Sequence, residues 1–153
     1  MALTLDVFNP ANFAKHGLVK QLLESKNAPN GTGAVTYGQC GDDFGVFTLD
    51  KADTKNVPNP VTKGVHLNFN LAGIVSDEID VTDLHVHVNW NGATLYDEDH
   101  PQNNIYDSSY SYQLAWDVPS FAPSGHYAIT LTGTGKNEGD SGTLLCVTAD
   151  MDL

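Results

Sequence analysis

From Val35 onward the apolar positions of this chain recur at every second residue, the period of a strand with one buried face. In Val65-His66-Leu67-Asn68-Phe69-Asn70-Leu71, the residues Val65, Leu67, Phe69 and Leu71 share one side. Leu84, Val86, Val88 and Trp90 do the same, with His85, His87 and Asn89 opposite. Tyr110, Tyr112, Leu114, Trp116 and Val118 form a third run, and Tyr127, Ile129 and Leu131 a fourth. Leu145, Val147, Ala149 and Met151 oppose Cys146, Thr148, Asp150 and Asp152 in a fifth. Shorter strands are predicted around Val35–Gln39 and Gly45–Leu49. Asn59-Pro60, Asn91-Gly92, Pro119 to Gly125 and Gly135 to Gly142 carry the turn chemistry between runs. About seven half-buried strands at such spacing predict an all-β fold, an immunoglobulin-like antiparallel β-sandwich. Asp97-Glu98-Asp99-His100-Pro101-Gln102-Asn103-Asn104 is polar on both phases and reads as a solvated loop.

The first part of the chain has a different period. Asn9-Pro10 is a helix start, with Asn as cap and Pro in the first turn. Phe13, Leu18, Leu22 and Leu23 then lie near one face, with Lys15, Lys20, Glu24 and Lys26 on others. A helix of about 15 residues is expected, ending before Asn27-Ala28-Pro29-Asn30-Gly31. The chain divides into residues 1–34, a partly helical extension, and residues 35–153, the sandwich. So short a helix is marginal alone. Its apolar stripe must pack on the domain or, through residues 9–26, on a partner protein.

Charge narrows the function classes. There are 7 Lys and no Arg against 19 Asp plus Glu, a formal net charge of −12. Lys15, Lys20 and Lys26 against Asp6 and Glu24 leave the extension at +1 and the remainder at −13. Nucleic-acid binding, which needs a basic face, is excluded, as is docking on anionic membrane by a polybasic patch. No run approaches the 18 apolar residues of a membrane span. Met1 to Phe8 lack the charged start and apolar block of a signal peptide.

Candidate chemistry is sparse. His85 and His87 are two apart on one strand and point to its outer face, and His66 shares that outward phase on another strand. His-x-His is a known metal spacing, and Asp97, Glu98, Asp99 and Asp107 offer oxygen ligands without EF-hand order. Both groups are read as solvated surface, and no metal ligand is assigned. Ser108, Ser109 and Ser111 lack a nucleophile elbow, and Gly133-Thr134-Gly135 does not precede a helix. The chain is read as a non-enzyme. Cys40 and Cys146, the two cysteines, flank the first and last strand-like runs. They are either two free buried thiols or a bond whose loop closure contributes roughly 4–5 kcal/mol.

Five pieces then occur in order. They are Cys40-Gly41, Pro58-Asn59-Pro60-Val61-Thr62-Lys63-Gly64, Tyr112-Gln113-Leu114-Ala115-Trp116-Asp117-Val118-Pro119, Phe121-Ala122-Pro123-Ser124-Gly125-His126-Tyr127, and a Gly-rich turn into Leu144-Leu145-Cys146-Val147. In that order and spacing, Val35 to Leu153 resembles the ML lipid-recognition domain, the family that includes small Niemann–Pick type C sterol carriers and group 2 mite allergens. The resemblance implies a first-to-last-strand disulfide between Cys40 and Cys146. It also implies that the apolar interior is a cavity for a sterol or the acyl chains of a lipid. From one sheet face or another that cavity would be lined by Leu67, Phe69, Leu71, Leu84, Val86, Val88 and Trp90. Tyr112, Leu114, Trp116, Phe121, Tyr127, Ile129, Leu131 and Val147 complete it. No cofactor is implied beyond the bound lipid, and membrane contact would be transient. A secretory or lysosome-like lumen, or the extracellular space, follows from the disulfide. The alternative is an accessory subunit of a larger assembly in an organelle lumen. Two features depart from the family pattern: the Asp97–Asn104 stretch has no cysteine, and residues 1–34 lie outside it.

Overall fold

Alternation of buried and exposed side chains builds two facing sheets. In the computed structural model, which describes residues 2–153, the first sheet runs β1 (Ala2–Thr4), β8 (Ser109–Val118), β5 (Val65–Val75), β3 (Phe47–Leu49), with β4 (Lys55–Val57) also on β5. The second runs β2 (Val35–Gln39), β10 (Asp140–Asp152), β9 (His126–Asn137), β6 (Ile79–Trp90), β7 (Ala93–Tyr106). Every pairing is antiparallel except β1 with β8, which is parallel. The inward phases of β5, β6, β8, β9 and β10 meet in one apolar core, as expected of an aligned sandwich.

Among the described residues ten strands form where about seven were expected. The addition of consequence is β7, which contains the whole stretch read as a loop. It is an edge strand paired with β6 alone, so neither of its phases needs to be apolar throughout. Pro101 is tolerated there because the register with β6 shifts between Val81 and Asp83, opposite Asn104 and Pro101.

The amino-terminal segment forms two six-residue helices, not one of about 15. Asn9 caps α1 (Pro10–Lys15), its Oδ1 accepting from the Ala11 N–H at 3.0 Å. Gly17 (φ +69°) then turns the chain before α2 (Val19–Glu24) and a single 3-10 turn over Ser25–Asn27. The segment belongs to the core of the sandwich: Leu5, Val7, Phe8, Phe13 and Leu18 are buried in the same cluster as the sheets. Phe13 and Leu18 therefore face inward, and of the expected apolar stripe only Leu23 stands well exposed, at 58 %. Lys15 reaches Glu98 of β7 at 3.0 Å, whereas Lys20 pairs within the segment with Glu24. Gly33 anchors the end of the segment between β10 and the turn before β5. Its N–H donates to the Asp152 carbonyl at 2.8 Å and its own carbonyl accepts from Val61 at 2.9 Å. A Cβ there would fall 1.9 Å from the Val61 carbonyl oxygen, and φ is +75°, so only glycine fits.

Cys40 and Cys146 are disulfide-bonded, with Cα atoms 4.9 Å apart, inside the range such bonds require. Cys40 follows β2 and Cys146 lies in β10, its direct neighbour. The bond therefore stitches an edge strand into the second sheet and does not cross-link one sheet to the other. Along that edge the sheets are clasped by hydrogen bonds instead. The Gln39 side chain donates to the Phe47 carbonyl and accepts from the Leu49 N–H, both at 2.8 Å. The Tyr37 hydroxyl donates to Asn56 Oδ1 at 2.7 Å.

Candidate functional site

The inward residues of the long strands form an apolar seam between the sheets. Leu67, Phe69 and Leu71 on β5 and Tyr112, Leu114 and Trp116 on β8 are all buried. They face Leu84, Val86, Val88 and Trp90 on β6, Tyr127, Ile129 and Leu131 on β9, and Val147 on β10, also buried. The one expected lining residue placed elsewhere is Phe121. It sits in the connection between β8 and β9 with 60 % of its surface exposed. Two turn prolines and the need to cross from one sheet to the other hold that connection outside the alternating pattern. Phe121 separates two shallow surface grooves of about 430 and 480 Å³.

At the Trp90 end, the amino-terminal segment closes the seam. Phe13 packs edge-on against Trp90 with ring centroids 5.9 Å apart, and Phe8 against Tyr127 at 5.6 Å. The polar tips of these core aromatics are satisfied by the β8–β9 connection. Trp90 Nε1 donates to the Ser124 carbonyl at 3.2 Å and the Tyr127 hydroxyl to the Pro123 carbonyl at 2.6 Å. Sequence reasoning missed Phe8 and Phe13 as neighbours of this end, because nothing local relates them to Tyr127 and Trp90, 119 and 77 positions downstream.

In the middle of the seam, Phe69, Leu71, Leu114, Ile129, Leu131 and Val147 leave a space of only about 10 Å³, no more than one water requires. The sheets are thus closed on each other. Two polar atoms within this interior have no partner among the described residues: Trp116 Nε1 and the Tyr110 hydroxyl. Trp116 lies against Phe69, ring centroids 5.1 Å apart. An unmade hydrogen bond on a buried donor costs about 1–3 kcal/mol. Burial also pushes the Tyr110 phenol well above its usual pKa, so it stays neutral.

The outer face of the second sheet carries a different chemistry. The register of β6 with β7 sets His85 opposite Asp99 and His87 opposite Asp97. The Asp99 carboxylate accepts from His85 Nδ1 at 2.6 Å, and the other ring nitrogen of His85 meets Asp97. His87 Nδ1 lies 3.2 Å from the same Asp97 oxygen and its Nε2 2.8 Å from Asn89 Oδ1. Partial burial disfavours the His85 cation, but the bonds to Asp99 and Asp97 outweigh it and raise the pKa. His66 is not part of this group: β5 belongs to the other sheet, where His66 pairs with Asp117 at 2.7 Å. The expected acidic cluster is likewise divided. Asp97 and Asp99 point outward, Glu98 faces Lys15 on the opposite phase, and Asp107 lies in the turn between β7 and β8.

His126 at the start of β9 lies 2.9 Å from Asp152 and 3.1 Å from Asp150 on β10. The bond to Asp152, followed by that to Asp150, raises its pKa above the ordinary histidine value. A raised folded-state value stabilises the fold fully below the unfolded pKa of about 6.5, and that stability is lost as pH rises through the folded value. The side chain is 51 % exposed, so water screens the pair and its worth is about 0.2–1 kcal/mol. Urea unfolding at pH 5.5 and pH 8.5 should therefore show a smaller drop for His126→Gln than for the unaltered chain. An identical drop in both would show that His126 does not contribute.

No protein-family profile matches the chain, and no curated protein matches it. Among the described residues no helix is long and apolar enough to cross a membrane. Solved structures similar to it include a Niemann-Pick type C2 protein from Japanese carpenter ant, 15 % identical over 76 % of this chain and 98 % of that one, TM-score 0.46. Chicken MD-1 complexed with lipid IVa is 14 % identical over 77 % and 88 %, TM-score 0.43. The C-terminal domain of wzt is 11 % identical over 84 % and 79 %, TM-score 0.46.

Proposed function

We propose that this protein is a non-enzymatic lipid-binding protein that holds a sterol or the acyl chains of a lipid between its two sheets. The observation that carries the reading is the unpartnered Trp116 Nε1, which with the Tyr110 hydroxyl is a polar atom left without a partner among the described residues in a mostly apolar seam. A seam that merely packed would pair or omit that donor. A ligand with a hydroxyl or ester carbonyl at one end of an apolar body satisfies it. The ordered motifs from Cys40-Gly41 to Leu144-Leu145-Cys146-Val147 support the same reading. So does the disulfide's place within one sheet, because a ligand of ordinary size needs a pocket of about 300–1,000 Å³. The sheets must separate to supply it, and the bond does not resist that. Each Å² of apolar ligand surface removed from water returns about 25 cal/mol toward that opening. With no Arg in the chain, a neutral head group suits the site better than an acidic one. The histidine–aspartate pairs stand on outward strand faces and not in a cleft, which favours binding over catalysis. A disulfide-bonded lipid carrier belongs in a secretory or lumenal compartment.

A second reading, as an accessory subunit, draws on Leu23 and Phe121. Both are well exposed and line the same groove of about 430 Å³, a place for a partner's side chain.

Native mass spectrometry of the protein as isolated, with lipid extraction, tests the first reading. One lipid per chain is expected, and titration with sterol or neutral lipid should change the Trp116 fluorescence. Leu131→Phe, which fills the seam, should lower uptake while the chain stays folded. A protein that carries no lipid, and whose fluorescence ignores every lipid offered, leaves the accessory reading in its place.

A further inference from the structure

We propose that His85, His87 and Asp97 form a binding site for one divalent transition-metal ion of the zinc class on the outer face of the second sheet. One ligand atom from each of the three lies within 4.8 Å of the others. Tetrahedral zinc with bonds of about 2.0–2.1 Å holds its ligand atoms roughly 3.3 Å apart. His87 Nδ1 and the Asp97 oxygen are already at 3.2 Å, whereas His85 Nε2 is in direct hydrogen-bond contact with that oxygen and must draw back to admit an ion.

The hydrogen bonds around the group are compatible with a cation. A neutral imidazole has one N–H and one lone pair, and an ionised carboxylate only accepts. His85 Nδ1 faces Asp99 and His87 Nε2 faces Asn89 Oδ1, so each N–H is directed away from Asp97. With both rings neutral, the two remaining nitrogens present lone pairs toward the same Asp97 oxygen. In the metal-free protein a proton on His85 bridges that ring to Asp97, and a bound metal ion would take the place of that proton. Asp99 and Asn89 meanwhile occupy the places of the outer partners that orient metal-bound histidines and fix their tautomers.

Two imidazoles and one carboxylate select zinc and its neighbours over calcium or magnesium, which take oxygen ligands. The side chains are 35 %, 30 % and 41 % exposed, leaving a fourth position open to water. Two ligands come from β6 and one from β7, so the ion would clip the edge strand to its only neighbour.

The test uses the full untagged chain after treatment with a chelator, titrated calorimetrically with Zn²⁺, Co²⁺, Ca²⁺ and Mg²⁺. Saturable uptake of one Zn²⁺ per chain is expected, with Ca²⁺ and Mg²⁺ not bound. Co²⁺ should give the visible absorption of a four-coordinate site. His87→Ala and Asp97→Asn should abolish uptake, and Asp99→Asn should weaken it about 10–100-fold. His126→Ala, at the other histidine–aspartate group of this sheet, should leave it unchanged. All four side chains lie on an open face, and far-UV circular dichroism verifies that the variants fold. NMR of the His85 and His87 rings, shifted by Zn²⁺ while His66 is not, gives a readout independent of affinity. Absence of saturable binding, or binding equal in the His87→Ala and unaltered chains, overturns the site.

Discussion

Replacing Cys40 and Cys146 together by serine is expected to cost about 2–5 kcal/mol of folding stability. The bond spans 106 positions of sequence, and in the chain-entropy model a closed loop of that length constrains the unfolded chain by about 4–5 kcal/mol. The native sheet loses little directly. β2 keeps its register with β10, from Val35 opposite Met151 to Gln39 opposite Val147, and the Cys40 N–H still donates to the Cys146 carbonyl at 3.0 Å. The loss should therefore appear as a lower urea midpoint with the β-rich circular dichroism spectrum intact at zero denaturant. Reduction of the unaltered protein should reproduce the shift. A double variant as stable as the parent would mean that the unfolded chain is already compact around this pairing.

Phe13→Ala is expected to cost about 3–5 kcal/mol. Phe13 is 1 % exposed and lies edge-on to Trp90, so truncation removes its burial and opens a void beside the largest side chain at that end of the seam. Phe8→Ala should act in the same direction through Tyr127. Leu23→Ala, on the same segment but 58 % exposed, should stay within about 0.5 kcal/mol of the parent. Urea unfolding followed by tryptophan fluorescence reads all three, because Trp90 reports on its own surroundings. Equal, small effects of Phe13→Ala and Leu23→Ala would show the segment to be dispensable to the fold. In that case residues 9–26 would regain their place as a surface for a partner. The two expectations are independent, since Phe13 and the disulfide touch different parts of the sandwich.

Which residues point inward was legible without coordinates wherever a strand has one wet and one dry face. Leu67, Phe69 and Leu71, or Leu84, Val86 and Val88, are buried because alternation is a local property of the extended chain. The helix start at Asn9-Pro10 was legible for the same reason, being written in adjacent residues. Its length was not, because Gly17 ends α1 where the apolar spacing alone would continue it. β7 was unreadable, since an edge strand with polar residues on both phases has no alternation to detect. Phe121 shows the converse error: an apolar residue in a motif was assigned to the interior, although its connection runs over the surface.

Alternation along the chain was thus enough for the β class and the inward face of each long strand, and a family resemblance added the pairing of Cys40 with Cys146. Which strands are neighbours emerges in the folded protein alone, and every property of the outer face depends on that. His66 and His85 have the same phase on their strands and lie on different sheets, whereas Asp97, assigned to a loop, stands against both His85 and His87. The same holds for the amino-terminal segment, whose Phe8 and Phe13 close the seam at Tyr127 and Trp90. Cross-strand register and docking are set by the summed burial of residues far apart in the chain, so no window of sequence contains them.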